Sequence, residues 1–475
     1  MKARINWIVF LYTSIGVLLV FSNMTTMDVA LPTIVRYFHA SPLQGSWILL
    51  GYMLTNTIML LAFGRLADIF GRKILYLIGL GIYTVASLFC ALATSADALI
   101  VFRLMQAIGA ASVVTNTTAL LVDAYPPERM SLILGLNVSV AAGSSICGPL
   151  IGGALVSWLG WRALFWVAVP LGLFALIVGT RVLRAKRPDV KETFDYQGAL
   201  LSFLSLGGLV LCLSEGGVVG WHSPLVAGCV AAFVLAGAAF VHRQLRLKHP
   251  LIDLTILTNP DLALAYYANF MMAVVQMATL ILVSLFLQAV LSMDALKAGI
   301  HITGLAAGLM VGTAISARLI GVIAPRKVAA GGMSVITIAT IGMSVLFGEA
   351  SPNASIMTLV LFATGTGVGL FMTPNTTSIM TSVGAHRRGV ANGMRAMVQN
   401  MGFVVGTAVS LAIVTAPLTQ VAQHAVYSGQ SHLLVQDQLL LFRAQYRIAF
   451  AVLTGLAFSA AIASMLRRTR RVVIQ

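Results

Sequence analysis

Fourteen apolar runs, each about as long as a bilayer is thick, govern what this chain can become. A hydrocarbon core of ~30 Å is crossed by about 20 helical residues. Runs of that kind lie near 7–29, 45–66, 74–94, 98–120, 131–157, 163–183, 197–217, 223–241, 263–291, 298–318, 328–347, 354–374, 389–414 and 446–466. Hydrophobic residues make up 59% of the chain and charged ones 9%, whereas soluble domains carry about a quarter charged residues. The reading is an all-α polytopic membrane protein with fourteen transmembrane helices and the lipid bilayer as its solvent.

The net charge of +16 is high enough for a nucleic-acid partner, but the basic residues sit in short clusters between apolar runs with no aromatic interleaving. They read as topology signals, and no nucleic acid is expected. With an even span count and the N-terminus inside, one side collects 23 of the 30 Lys and Arg residues, from Lys2 and Arg4 to Arg470 and Arg471. The other side holds Arg36, Arg162, Lys297, Arg443 and Arg447, and Arg103 and Arg395 stay inside spans. That asymmetry predicts N-in and C-in in the cytoplasmic membrane of the cell. The opening, basic at Lys2 and Arg4 and apolar from Trp7, mimics a signal peptide but lacks a small-x-small cleavage site, so it reads as the first span.

Two polar insertions, 184–196 and 242–262, divide the chain into six spans, a pair, and six. The expected units are 1–183, 184–262 and 263–475. A faint repeat joins the two sets of six: the turn from Arg318 to Lys327, the glycines Gly365, Gly367 and Gly369, and the Gly402 to Gly406 stretch echo earlier segments at matching places.

Enzyme chemistry finds no foothold. The eight histidines form no H-x-x-x-H or H-E-x-x-H group, no Walker string is present, and Cys90, Cys147, Cys212 and Cys229 lie in apolar runs without ligand spacing. Neither a metal nor a cofactor is expected.

Several stretches carry more specific information. Between spans two and three, Gly64-Arg65-Leu66-Ala67-Asp68-Ile69-Phe70-Gly71-Arg72-Lys73 packs charges and glycines into a tight turn; on physics alone it is a basic hairpin. The string resembles the corresponding loop of major facilitator transporters. The resemblance implies a conformational latch made of Gly64, Asp68, Gly71, Arg72 and Lys73, with Asp123 at the end of span four as an ionic partner; a solvated helix-end carboxylate is the other reading of Asp123. In span five, Gly143, Gly148, Pro149, Gly152 and Gly153 combine a kink with a smooth helix face. They resemble the antiporter motif of major facilitator exporters, which implies export. Trp161-Arg162-Ala163-Leu164-Phe165-Trp166 and Asp195-Tyr196-Gln197-Gly198 resemble further landmarks of the same family.

Arg103, several residues into span four, is costly in lipid and must meet a cavity or an acid, or snorkel toward the end marked by Asp97. Phe102 to Ala111 resembles the family's R-x-x-Q-G-x-G motif, with Ala107 in place of its first glycine, and this implies a link between Arg103 and proton transfer. Proton coupling also needs a carboxylate inside the membrane, and Asp28 is the candidate. Its surroundings, Asn23 to Pro32, resemble the signature L-D-x-T-x-x-N-V-A-L-P of the fourteen-span drug:proton antiporters with the two polar residues exchanged: Asn23 stands at the aspartate position and Asp28 at the asparagine position. Five residues turn a helix by ~500°, about 140° on the wheel, so Asp28 is either the coupling acid or an interfacial residue.

The resemblance implies a monomeric major facilitator fold, driven by a proton gradient and exporting amphipathic small molecules by alternating access. The expected cavity lining is Asn23, Trp47, Tyr52, Asn56, Gln106, Asn269, Gln276, Asn392, Arg395 and Gln399, of which Asn392, Arg395 and Gln399 share one helix face. Two alternatives stay open. The lack of a mid-span acid in the later half, together with Arg395, suits an anionic or lipid-like cargo; the loss of an acid at Asn23 suits a non-transporting sensor.

Overall fold

The computed structural model describes residues 7–125, 127–183, 195–220, 222–247, 254–320, 322–347, 353–383, 388–428 and 436–467. They form α1 (Trp7–Phe38), α2 (Pro42–Phe70), α3 (Arg72–Ala91), α4 (Ala96–Ala124), α5 (Pro127–Leu159), α6 (Ala163–Val182), α7 (Tyr196–Val219) and α8 (Pro224–Arg246). A 3-10 turn, Leu254–Thr258, leads into α9 (Pro260–Ala289), α10 (Ala295–Leu319), α11 (Pro325–Leu346), α12 (Ala354–Ser382), α13 (Arg388–Thr415), α14 (Gln420–Ser428) and α15 (Gln436–Leu466). Thirteen helices are long and apolar enough to cross a membrane, and α5 adds the described apolar stretch Cys147–Leu159.

Several helices outrun their apolar runs. α1 continues past 29 to Phe38, α12 past 374 to Ser382, and α15 begins at Gln436, ten residues before the apolar stretch. A helix leaving hydrocarbon keeps its backbone hydrogen bonds until a turn signal stops it, and the signals here are local. Ser41 caps α2 by accepting from the Gln44 N–H at 3.2 Å, while Gln44 Oε1 accepts the Ser41 N–H at 2.9 Å and Pro42 occupies the first turn. α14 was not foreseen at all: its sequence, Gln-Val-Ala-Gln-His-Ala-Val-Tyr-Ser, is too short and too polar to register as a span.

The turn at His39 marks one end of the molecule and the turn at Gly71 the other. Between them the first six helices and the later set repeat one packing scheme: α3 on α4 and α11 on α12, α2 on α4 and α10 on α12, α1 on α5 and α9 on α13, α3 on α6 and α11 on α15. The repeat extends to single glycines. A Cβ at Gly109 would strike the Tyr83 and Gly79 backbone, and one at Gly367 the Gly332 and Ile336 backbone. In each case a bare crossing lets two backbones touch.

The halves meet through α5 on α10 and α2 on α13. α7 packs on α8 and also lies against α2 and α13. α8 turns Leu235, Val234 and Leu225 outward, as a lipid-facing helix does. The α7–α8 pair is tied at its base by Asp195. Its Oδ1 accepts from the Gly198 N–H at 2.9 Å and from Arg243 Nε at 2.7 Å, and its Oδ2 accepts from Gln244 Nε2 at 2.9 Å.

Candidate functional site

Arg103 is 1% exposed and sits at the meeting point of α1, α2, α3 and α4. Its Nη1 donates to Asn23 Oδ1 at 2.5 Å and to Gln106 Oε1 at 2.8 Å, and its Nε reaches the Ile48 carbonyl at 3.5 Å. The guanidinium lies 4.0 Å from the centroid of the Tyr52 ring, a cation–π contact that offsets part of the desolvation of a buried cation. Gln106 hands the network on: its Nε2 donates to Ser87 Oγ at 2.8 Å, and Ser87 donates to the Tyr83 carbonyl. Four expected cavity residues, Asn23, Tyr52, Arg103 and Gln106, thus come together in one buried node. Asn56 is also buried, with Oδ1 making no hydrogen bond among the described residues. Trp47 packs against the core and the Gly51 backbone.

Asp28 is 2% exposed and stands at the α1–α9 contact, where its backbone carbonyl accepts from Ser284 Oγ at 2.9 Å. Its Oδ2 is buried and makes no hydrogen bond among the described residues. The side-chain oxygen that meets Arg103 therefore belongs to Asn23, while the backbone of Asp28 touches α9 of the other half. Packing makes Gln276 its counterpart on α9: the pairs Ser22 with Gly148 and Thr26 with Gly152 recur as Phe270 with Gly402 and Val274 with Gly406. The same offset carries 28 to 276, and Gln276 Oε1 is likewise buried without a partner among the described residues.

In the later half, Arg395 donates from Nε to Asn392 Oδ1 at 3.2 Å and from Nη1 to Gln399 Oε1 at 2.9 Å, so the three share one face of α13. Asn269 Nδ2 donates to the Arg395 carbonyl at 3.1 Å, and the Tyr266 hydroxyl donates to the Ala391 carbonyl at 3.0 Å. These bonds fasten this part of α13 to α9.

The glycines of span five divide their work. A Cβ at Gly148 or Gly152 would collide with Thr25 or Thr26 of α1, and one at Gly153 would meet the Ala295 carbonyl of α10 at 2.6 Å. The Pro149 carbonyl lies against Gly299 of α10, whereas Gly143 has nothing within 4 Å. Thr26 Oγ1 donates to the Gly148 carbonyl at 2.9 Å, a partner for backbone near the proline kink. α5 is thus wedged between one helix of its own half and one of the other.

At the opposite end Gly71 alone separates α2 from α3, with φ +92, a conformation open to glycine and strained for other residues. Arg72 Nη1 donates to the Ala119 carbonyl at 3.2 Å and pairs with Asp123 at 2.9 Å. Lys73 Nζ donates to the carbonyls of Thr180 and Leu183, closing the last turn of α6. Gly64 has only an ordinary contact, 3.7 Å to Thr115. The side chain of Asp68 lies outside the described residues.

The family model of the Major Facilitator Superfamily matches residues 13–407 and 265–473. The chain belongs to the Major Facilitator Superfamily. It is 31% identical over 408 residues to the tetracenomycin C resistance and export protein of Streptomyces glaucescens, covering 85% of this chain and 75% of that protein. It is 30% identical over 419 residues to the multidrug resistance protein Stp of Mycobacterium tuberculosis (strain CDC 1551 / Oshkosh), covering 88% and 77%. A crystal structure of a bacterial homolog of the human lysosomal transporter Spinster, inward-facing and unoccupied, superposes with a TM-score of 0.64 at 16% identity over 99% of this chain and 100% of that one. That likeness concerns the fold alone. The chain is a multi-pass membrane transporter and not an enzyme.

Polar residues outside the expected cavity and latch also tie this major facilitator chain together. Arg162 donates from Nε to the Ala91 carbonyl at 3.1 Å and from Nη2 to the Ala93 carbonyl at 2.9 Å, while its guanidinium stacks 4.5 Å from Tyr37 and 4.4 Å from Trp161. It closes the open end of α3, which gives the Trp-Arg pair a physical task. Arg467, 4% exposed, donates to Asn375 Oδ1 at 2.7 Å and accepts from Arg326 Nη1 through its carbonyl at 2.8 Å. Nothing in the spacing of those residues announces the contact. Ser284 carries no sequence signal either; only the fold brings α9 to α1.

Proposed function

We propose that this transporter is a proton-coupled exporter of amphipathic drugs and related xenobiotics, of the fourteen-span 6+2+6 type. Both termini and the Gly71 end face the cytoplasm of the cell whose inner membrane holds it. The relatives' names, which speak of resistance and export, support the direction. The lopsided distribution of Lys and Arg supports the orientation. Residues 1–183 and 263–475 form the two rocking units, with 184–262 as an inserted pair, working as a monomer without a cofactor.

The observation that carries the reading is Asp28: a buried residue whose backbone carbonyl meets α9 of the other half and whose Oδ2 has no hydrogen bond among the described residues, on the same helix as Asn23, which holds the fully buried Arg103. A charge is expensive inside the membrane. An acid on the seam gains and loses a proton as each side in turn admits water, and that exchange drives the rocking. Gly148, Gly152 and Gly153 supply the bearing surface, and the Gly71–Lys73 turn with Asp68 and Asp123 supplies the latch.

The test compares wild type with Asp28→Asn in proteoliposomes loaded with a fluorescent amphipathic dye. The wild type moves dye uphill when a pH gradient is imposed, and Asp28→Asn keeps downhill exchange while losing the uphill component. Uphill transport of undiminished rate in Asp28→Asn removes Asp28 as the coupling group.

A further inference from the structure

The two membrane-embedded arginines are not alike. Arg103 is sealed, with three of its N–H donors engaged and an aromatic ring against its face. Arg395 is half-buried. Of the five N–H donors on a guanidinium, it commits two among the described residues, to the neutral Asn392 and Gln399. Among the described residues no carboxylate lies within ion-pair distance of it. Asn392 and Gln399 flank the guanidinium and Asn269 holds the backbone beneath it, so the cation is positioned.

On α13, Thr407 touches Met53 of α2, twelve residues and about 18 Å of helix further toward the His39 end than Arg395. A fixed, half-buried cation with three N–H donors uncommitted among the described residues is a receptor for a carboxylate, which a guanidinium grips with two parallel bonds. Met394 and Met397 of the same helix are buried in the core that packs α13 against α9, with Met401 packed beside them.

We infer that the cargo is an amphipathic organic anion whose carboxylate pairs with Arg395. The inference rests on the transporter reading above and names its substrate class. Exporting one anion for each proton taken up moves charge in a single sense, so an inside-negative membrane potential accelerates the cycle.

The probes are a matched set on one aromatic skeleton: the carboxylate, its neutral amide and the corresponding ammonium compound. A long-chain alkyl carboxylate is added to separate a lipid-derived source from a soluble one. Binding to the purified full-length protein is measured by calorimetry at pH 7.5, and transport in proteoliposomes with and without a potassium diffusion potential. We expect the aromatic carboxylate to bind at least 10-fold tighter than its amide or ammonium partner. Arg395→Gln should erase that preference while leaving amide affinity within twofold, and Arg395→Lys should restore part of it. Tighter binding of the alkyl carboxylate than of the aromatic one assigns a lipid-derived cargo; the reverse assigns a soluble one.

Equal affinity for the three aromatic probes in wild type, tighter binding of the ammonium compound, or no binding of any probe overturns the inference. So does an equal loss of carboxylate and amide binding in a monodisperse Arg395→Gln protein, which makes the arginine a structural part. If carboxylate preference persists and no pH gradient moves any probe, the proton-coupled reading fails and this one stands. If a pH gradient drives all three aromatic probes alike, the opposite holds.

Discussion

Arg103 donates to the side-chain oxygen of Asn23 at 2.5 Å, across the contact between α4 and α1. A buried guanidinium has found a neutral amide at the position where the antiporter signature that this stretch resembles places an acid. The guanidinium is held by hydrogen bonds and a ring face, and the acid stands five residues along, at Asp28. Coupling and anchoring, which one carboxylate could serve together, are carried here by Asp28 and Asn23 separately under the proposed mechanism.

Replacing Asn23 should therefore damage stability before it damages coupling. Asn23→Leu leaves a buried donor of Arg103 without its acceptor, a loss of about 1–3 kcal/mol, and thermal unfolding in detergent should begin at a lower temperature. Asn23→Asp keeps an acceptor in place and should retain the wild-type midpoint at neutral pH. A Leu variant as heat-resistant as the parent would show that the 2.5 Å bond holds nothing in place.

The glycines of α5 allow a sharper contrast within a single motif. A Cβ at Gly153 meets the Ala295 carbonyl across the seam, while one at Gly143 meets nothing. Gly153→Val should force α5 and α10 apart, at an overpacking cost of about 1–3 kcal/mol, and slow substrate turnover at least 10-fold. Gly143→Ala should leave transport within twofold. Initial rates at matched protein levels in proteoliposomes decide, and equal rates for both variants would remove the seam as the reason for the motif.

The apolar runs made the long helices legible because a membrane span announces itself by length and composition. Helix ends were less legible: Pro32 and Arg36 interrupt 30–38, and Gln436, Asp437, Gln438 and Arg443 interrupt 436–445, yet α1 and α15 continue through them with Leu31, Ile34, Val35 and Phe442 buried in the core. α14 hid for a related reason. It is held by tertiary contacts, with the Tyr427 ring on Gly45 and with Gln423 Nε2 donating to the Thr415 and Leu418 carbonyls. The stripe Asn392, Arg395 and Gln399 could be read from helical spacing. The Arg103 node could be read only in part, since spacing along α4 pairs Arg103 with Gln106 while the contact with Asn23 needs the fold.

Arg162 offers a test of a landmark whose task is structural. It closes two carbonyls at the end of α3 and stacks between Tyr37 and Trp161. Arg162→Ala removes both at once and should cost about 1–3 kcal/mol, lowering the unfolding midpoint while leaving substrate affinity within twofold. Lysine has no planar fork to span two carbonyls, so Arg162→Lys should recover less than half of the loss. Calorimetric scans of the three proteins with parallel binding isotherms separate the effects.

The α7–α8 base should respond to acid. Burial alone pushes the Asp195 carboxyl up, but the Gly198 N–H, Arg243 and Gln244 together outweigh it and hold the group below the ordinary aspartate range. A depressed folded-state value means that ionised Asp195 stabilises the fold fully above the unfolded value, and that this contribution is lost as pH falls through the lower folded one. Wild type should accordingly lose thermal stability between neutral pH and the acid side of the aspartate range, in part because this knot comes undone. Asp195→Asn keeps an acceptor for the Gly198 N–H but drops the charge facing Arg243, so it should start lower at pH 7 and fall less steeply. The difference between the two proteins, scanned from pH 7.5 downward, isolates Asp195 from the other carboxylates. Parallel curves would mean that Asp195 ties α7 to α8 by hydrogen bonding alone, with its charge contributing nothing.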